Sequence, residues 1–207
     1  MSDAVRRSQY REAIEKASQI SDADLDDDEI RELIQTLFLA GSRLLDGTET
    51  ELAAYARVVG SGSRLLQQFP QDPGIREWIA KALNNQANVL GKLGRTEEAL
   101  GSYDEVVTRF SEAASPALEY EIARALYNKA ITLSEIKESA ESDSVYREVV
   151  NRFAGSSQAN VRGLAALALY NAAVGQISIG NQETGESDYR DVIRQFSEGG
   201  AGTVEKP

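Results

Sequence analysis

One phrase of eight residues returns at a fixed interval along this chain. It reads YDEVVTRF at 103–110, YREVVNRF at 146–153 and YRDVIRQF at 189–196, with 43 residues from each copy to the next. A fixed period over three copies indicates one structural unit repeated, and it constrains the fold more than any other feature. The same interval separates residues upstream of the phrase: Asn85, Asn128 and Asn171; Ala87, Ala130 and Ala173; Leu83, Leu126 and Leu169.

Each repeat reads as two helices. Asp72 with Pro73, and Ser115 with Pro116, are typical of helix starts, because Asp and Ser cap a helix and proline fits its first turn. The third start is expected near Ser157. The second helices are predicted from about residues 97, 139 and 183 to residues 110, 153 and 196.

The turns between the two helices differ among the repeats. Gly94 and Gly180 can adopt the left-handed conformation that ends a helix. Lys137 stands at the equivalent place in the middle repeat, so we expect that turn to be less favourable.

The second helix carries one apolar face. Tyr103, Val107 and Phe110 are spaced i, i+4 and i+7, which places them on one side of a helix. One helix pair cannot bury such a face alone, but stacked pairs can. Nothing in the sequence alternates as a strand does, so the fold class predicted is all-α.

Composition excludes several kinds of chemistry. The 207 residues include no cysteine and no histidine, which excludes thiolate and imidazole metal sites, Cys nucleophiles and His-based triads. A net charge of -11 disfavours nucleic-acid binding, because phosphate recognition needs excess Lys and Arg. No apolar run is long enough to span a membrane and no signal-peptide core is apparent, so we expect a cytoplasmic protein without a membrane partner.

No catalytic or cofactor motif stands out. The glycine-rich segment at 60–64 lacks the spacing and the Lys of a phosphate-binding loop, and we interpret it as a break or kink in a long helix. The acidic run at 22–29 lacks the glycine and distal Glu of a calcium loop. We therefore expect neither an enzyme nor a cofactor.

The segment at 82–107, ALNNQANVLGKLGRTEEALGSYDEVV, resembles a tetratricopeptide repeat. The family's small residue in the first helix, turn glycine, small residue in the second helix and following aromatic are here Ala87, Gly94, Ala99 and Tyr103. The resemblance covers about residues 72–196. It implies a right-handed α-solenoid of antiparallel helix pairs.

The repeat is longer than the ~34 residues usual for that family. The cap positions lie 15 residues before Ala87 and Ala130, which lengthens the start of each first helix by about two turns, on the order of 10 Å. We expect one edge of the array to be taller throughout.

The predicted organisation has three parts. Residues 1–71 form a degenerate N-terminal helical repeat and cap, in which Ala40 and Gly47 echo Ala87 and Gly94. Residues 72–198 form three repeats, at 72–114, 115–156 and 157–198. Residues 199–207 lack an apolar pattern and are expected to be a disordered tail.

The resemblance implies a binding surface along the concave side of the array, lined by the first helices. The recurrent asparagines at 85, 128 and 171 can donate and accept hydrogen bonds, which suits an extended peptide backbone. The surface carries three cations, Lys81, Lys92 and Arg124, and one acidic residue, Glu135, so an acidic group on the partner fits it. Asn84, Leu167 and Val174 share this surface. The residues expected to contact a peptide are Lys81, Asn85, Asn88, Lys92, Arg124, Tyr127, Asn128, Tyr170 and Asn171.

One known ligand of the family does not fit this surface. Members that clamp a chaperone's C-terminal carboxylate use Lys, Arg and Asn. Asn88 and Asn128 match the two asparagines, but Asn84, Leu167 and Asn171 stand where cations are expected.

The function predicted is that of a non-catalytic protein–protein interaction scaffold that binds a peptide or partner segment in this groove. The alternative is an oligomerisation or regulatory module of a larger assembly that uses the taller edge or a terminal surface. A structural interpretation also stays open, in which the asparagines bridge adjacent helices and Tyr127 and Tyr170 are packing residues. We interpret Tyr103, Tyr146 and Tyr189 as structural.

Overall fold

A computed structural model describes residues 3–111 and 115–196 of the chain. Within these ranges the fold is all-α, as predicted, with no strand. A short 3-10 helix at Asp22–Asp24 lies between α1 and α2. The helices are α1 Asp3–Ser18, α2 Asp27–Leu44, α3 Glu49–Gln68, α4 Pro73–Lys92, α5 Thr96–Phe110, α6 Pro116–Glu135, α7 Ser139–Phe153, α8 Ala159–Ser178 and α9 Gln182–Phe196.

The chain divides into two compact units, Met1–Ile122 and Ala123–Pro207, with the division inside α6. In the first unit α1 packs on α2 and α3, and successive helices from α2 to α5 pack on one another. In the second unit α7 packs on α8 and α8 packs on α9. Each helix therefore buries its apolar face mainly against its neighbours in sequence.

The three predicted helix pairs are present as α4 with α5, α6 with α7, and α8 with α9. The first helix of each pair has 20 residues and the second has 15. Asp72 caps α4 as predicted, with its carboxylate accepting a hydrogen bond of 3.0 Å from the Ile75 N–H. The third pair starts at Ala159, with Gln158 at the cap position, one residue after the expected Ser157.

The turns between paired helices follow the sequence prediction. Gly94 and Gly180 adopt φ of 75° and 88°. Lys137 adopts φ of 66° at the equivalent place, in the left-handed region that a side chain disfavours. The middle turn is thus the unfavourable one.

The apolar face of the second helices forms much of the core. Tyr103 and Phe110 of α5 are buried, and so are Tyr146 and Phe153 of α7. Val106 is also buried on α5, whereas Val107 is only half-buried. The predicted face is therefore confirmed at its aromatic positions, with Val106 rather than Val107 as the buried valine. The corresponding face of α9 is more exposed, as described below.

The glycine-rich segment of α3 is helical throughout. Helix α3 runs without interruption through residues 60–63, so the predicted break there is wrong. Gly62 instead allows a close approach, because a Cβ added to it would lie 2.8 Å from Cγ1 of Ile79 on α4. The start of α2 is a capping box formed by Asp26 and Glu29.

The predicted tail, residues 199–207, lies outside the described residues. No helix in the described part of the chain is both long and apolar enough to cross a membrane.

Candidate functional site

The nine residues expected to contact a peptide are divided between the two units. The first unit holds four on α4, and the second unit holds three on α6 and two on α8. They are Lys81, Asn85, Asn88 and Lys92 in the first set, and Arg124, Tyr127, Asn128, Tyr170 and Asn171 in the second.

In the first unit, Lys81 and Asn88 already have partners within the protein. Lys81 forms an ion pair of 2.5 Å with Glu77 one turn earlier, and its ammonium lies 5.4 Å from the centre of the Trp78 ring. Asn88 is exposed and accepts a hydrogen bond of 2.7 Å from the Tyr103 hydroxyl. These contacts hold both side chains in place and reduce the free positive charge expected at this surface.

The other two predicted residues of α4 differ in exposure. Asn85 is half-buried, whereas Lys92 is exposed at the last position of the helix. The aliphatic part of Lys92 lies against Gly47, whose added Cβ would be 3.1 Å from Cδ of the lysine. The Lys92 stem thus rests on the turn between α2 and α3.

Asn84 does not belong to a binding surface, which corrects the sequence analysis. It is completely buried, and its amide nitrogen donates to the Glu121 carboxylate at 2.8 Å and to the Glu121 carbonyl at 3.0 Å. Glu121 is buried too. This pair joins α4 to the start of α6, so here the asparagine bridges helices, the structural interpretation that the sequence left open.

In the second unit Asn171 joins two tyrosines. Its amide nitrogen lies 3.1 Å from the Tyr127 hydroxyl on α6 and 3.4 Å from the Tyr146 hydroxyl on α7. The two rings are inclined by 56° with centroids 6.1 Å apart. Burial raises the pKa of Tyr146 to about 12, although the hydrogen bond from Asn171 acts in the opposite direction. Tyr146 therefore stays neutral and accepts the amide hydrogen.

The remaining predicted residues of α6 are half-buried. Arg124 and Asn128 lie on the same helix as Tyr127, and the Asn128 carbonyl accepts a hydrogen bond from the Thr132 hydroxyl. A cavity of about 50 Å³ lies beside Tyr146 and Asn171. This volume is large enough for an ordered water molecule but far below the ~300–1,000 Å³ of small-molecule sites.

Helix α8 exposes a row of residues that carries no charge. The row is spaced i, i+4, i+7, i+11 and i+15, and it includes Leu167, Tyr170 and Val174, which are 50%, 48% and 41% exposed. Arg162 is the one charged residue of the whole helix. We call this the α8 row; its members are Gly163, Leu167, Tyr170, Val174 and Ser178.

Helix α9 carries a second uncovered group of apolar residues. Val192 and Phe196 are partly exposed and Ile193 is 65% exposed, whereas Val149 and Phe153 on α7 are buried. The Tyr170 and Tyr189 rings are in contact, with centroids 5.5 Å apart, so this group adjoins the α8 row. The α8–α9 face is defined as Leu167, Tyr170, Val174, Tyr189, Val192, Ile193 and Phe196.

A separate cavity of about 310 Å³ lies in the first unit, and the sequence analysis missed it. It is formed by the first turns of α4, with Gly74, Ile75 and Trp78, and by α2, with Arg31 and Gln35. The Trp78 ring packs edge-on against Phe38 at 4.9 Å. The available signal was that Trp78 is the single tryptophan of the chain and lies in the lengthened start of a first helix.

Comparisons with known proteins add no relative to this description. No protein-family model matches the sequence, and neither a curated protein nor a solved structure is significantly similar to the chain.

Proposed function

We propose that this protein is a non-catalytic protein–protein interaction scaffold whose helix pairs are tetratricopeptide-like repeats of a right-handed α-solenoid. A partner segment lies along first-helix positions. The proposal draws on the 43-residue sequence register and on the three helix pairs of matched length.

The observation that carries the proposal is the α8 row. The chain has a net charge of -11, yet this row presents Leu167, Tyr170 and Val174 to solvent with no charged residue among them. A surface helix of a monomeric protein usually has a polar outer face, and an apolar outer face is typical of an interaction surface. Tyr170 was among the residues expected to contact a partner.

The first unit supplies polar contacts of a different kind. Asn88 and Lys92 are exposed on α4 at predicted positions, and an amide and an ammonium suit a peptide backbone or a carboxylate. A partner that carries an acidic group fits these residues better than a basic partner does. This part of the proposal concerns the first unit alone.

A catalytic function has weaker support than binding. The polar groups nearest the predicted positions are engaged in hydrogen bonds and ion pairs, such as Lys81 with Glu77 and Asn171 with Tyr127. Tyr146, with a pKa of about 12, is poorly matched to proton transfer near neutral pH.

The alternative function, an oligomerisation or regulatory module, is favoured by one feature. Ile193 of α9 is exposed and Phe196 is partly exposed, at positions whose equivalents on α7 are more buried. An uncovered terminal surface of this kind suits assembly into a larger complex.

Site-specific photo-cross-linking in cells tests the proposal. A photoreactive amino acid at Leu167 or Val174 should cross-link one defined protein, whereas the same group at Asn151, exposed on α7, should not. Leu167→Glu should then weaken binding of the purified partner by at least about tenfold, because it buries an unpaired charge. Equal cross-linking at Asn151, or unchanged affinity of a folded Leu167→Glu protein, would reject the α8 row as the binding surface.

A further inference from the structure

The middle helix pair shows what covers one tyrosine pair of this chain. Tyr127 and Tyr146 are one first-helix tyrosine and one second-helix tyrosine of the same pair, and helix α8 supplies the Asn171 amide to both hydroxyls. Helix α8 also packs on α7. Its buried residues are mostly small: Val161, Ala165, Ala168, Leu169, Ala172 and Ala173.

Tyr170 and Tyr189 repeat this arrangement one interval later. Their rings are inclined by 57°, against 56° for Tyr127 and Tyr146, and their centroids are 5.5 Å apart. Neither hydroxyl has a hydrogen-bond partner within the described part of the chain. The Tyr170 and Tyr189 hydroxyls are thus arranged much as those of Tyr127 and Tyr146, but no described amide donates to them.

The apolar residues near the two tyrosine pairs also differ in burial. Val149 and Phe153 are buried around the filled tyrosine pair, whereas Val192 and Phe196 remain partly exposed beside the open pair. The apolar and polar parts of the α8–α9 face therefore lack the same covering element. In the filled pair that element is an α-helix.

We infer that the α8–α9 face binds an α-helix of a partner protein, one that presents an asparagine or glutamine among small apolar residues. The amide donates to the hydroxyls of Tyr170 and Tyr189, and the small residues pack on Val192 and Phe196. This inference rests on the proposed function and names the partner of the same surface.

Within the described residues, no amide donates to the Tyr170 or Tyr189 hydroxyl. The Asn171 amide of α8 is already committed to Tyr127 and Tyr146. The uncharged character of the α8 row also suits an alanine-rich helix rather than a charged one.

A defined helical peptide tests the inference on the full-length protein. The probe is a fluorescein-labelled peptide with the sequence of residues 159–178 and added terminal lysines for solubility, together with its Asn171→Ala analogue. Fluorescence anisotropy should give an affinity about two- to tenfold higher for the peptide that carries asparagine, the range of one neutral hydrogen bond. In the protein variant Tyr170→Phe/Tyr189→Phe this preference should vanish, because both acceptor hydroxyls are removed while the rings stay.

The equivalent tyrosine pair provides a matched control. Tyr127→Phe/Tyr146→Phe should lower the melting temperature and keep the peptide preference, since those hydroxyls bind the chain's own Asn171. Tyr170→Phe/Tyr189→Phe should abolish the preference for the asparagine peptide and leave the melting temperature unchanged. The opposite effects of the two double variants separate a docking role from a structural one.

Three results would overturn the inference. They are the absence of peptide binding, an asparagine preference that survives in Tyr170→Phe/Tyr189→Phe, and a concentration-dependent dimer in sedimentation that Ile193→Glu disrupts, which would assign the face to a second copy. The cross-linking experiment at Leu167 uses the cellular partner instead of the peptide. Failure of the peptide experiment alone therefore leaves the proposed function standing.

Discussion

Arg147 on α7 holds Asp188 on α9 with two hydrogen bonds, of 2.8 and 3.4 Å. The same guanidinium donates from Nε to Asp143 one turn earlier at 2.8 Å. Both carboxylates raise the pKa of Arg147, that of Asp188 most, so the charge is permanent. One arginine thus ties together two second helices of the second unit.

The first prediction concerns this arginine. Arg147→Met should lower the free energy of unfolding by about 1–3 kcal/mol, because it leaves the nearly buried Asp188 carboxylate without its donors. Asp188→Asn should cost less, since Arg147 keeps Asp143 as a partner. Chemical denaturation measures both.

A matched control is Arg190→Met. Arg190 pairs with Glu186 at 3.3 Å, and both side chains are largely exposed, so this pair should contribute little. Equal losses for Arg147→Met and Arg190→Met would contradict a stabilising role for the contact between Arg147 and Asp188.

The second prediction compares equivalent phenylalanines. Phe153→Ala should destabilise the protein by ~3–5 kcal/mol, as expected for deletion of a buried aromatic side chain. Phe110→Ala should behave alike. Phe196→Ala should cost clearly less, because Phe196 is only partly buried. Thermal melts that rank Phe196→Ala with the other two would show that the α8–α9 face is covered in the isolated protein.

The third prediction uses two glycines of α3. Gly62→Ala should destabilise by about 1 kcal/mol or more, because the added Cβ overlaps Ile79 in a packed core. Gly60→Ala should stabilise by roughly 0.5–1 kcal/mol, because the site is open and alanine favours helix. Opposite signs in denaturant titrations are the expected result. A stabilising Gly62→Ala would remove the close-approach explanation for that glycine.

Much of the helical framework could be predicted from local signals. The 43-residue register, the caps and the turn glycines act over a few residues, and they gave the helix pairs with ends close to those observed. The strained turn at Lys137 was predicted for the same reason. Local steric rules decide such features without knowledge of tertiary contacts.

The site could be predicted less well, because side-chain partners depend on neighbouring helices. Asn84 and Asn88 are four residues apart on one helix, yet one is buried on Glu121 and the other is exposed. The glycines at 60–62 indicated a helix break by composition, whereas packing on Ile79 explains Gly62. Ile193 is 65% exposed, and a repeat pattern alone does not reveal which copies of an apolar face are covered.

The fourth prediction is a pH dependence at the start of α4. Burial disfavours the charged form of Asp72, but hydrogen bonds from the Ile75 N–H and from Arg31 outweigh it and lower the pKa of Asp72. A lowered folded-state pKa contributes stability above the ordinary pKa of aspartate, which is about 3.9, and this contribution is lost as pH falls toward the folded-state value. Asp72→Asn keeps a capping side chain but removes the charge that pairs with Arg31 at 2.8 Å.

Asp72→Asn should therefore be less stable than the parent protein at pH 7, and the difference should shrink as pH falls below about 4. Urea denaturation of both proteins at pH 7, 5 and 3 measures this difference. A gap that stays constant over the three pH values would show that the ionised carboxylate contributes nothing at this position.

The fifth prediction concerns the turn at Lys137. A side chain in the left-handed region costs roughly 1–2 kcal/mol, while glycine there costs some additional chain entropy on folding. Lys137→Gly should thus stabilise the protein by about 0.5–1 kcal/mol. Gly180→Ala, which places a side chain at φ of 88° in the equivalent turn, should destabilise it by a similar or larger amount. Thermal melts of the two variants should shift in opposite directions, because the same backbone conformation is relieved in one turn and strained in the other.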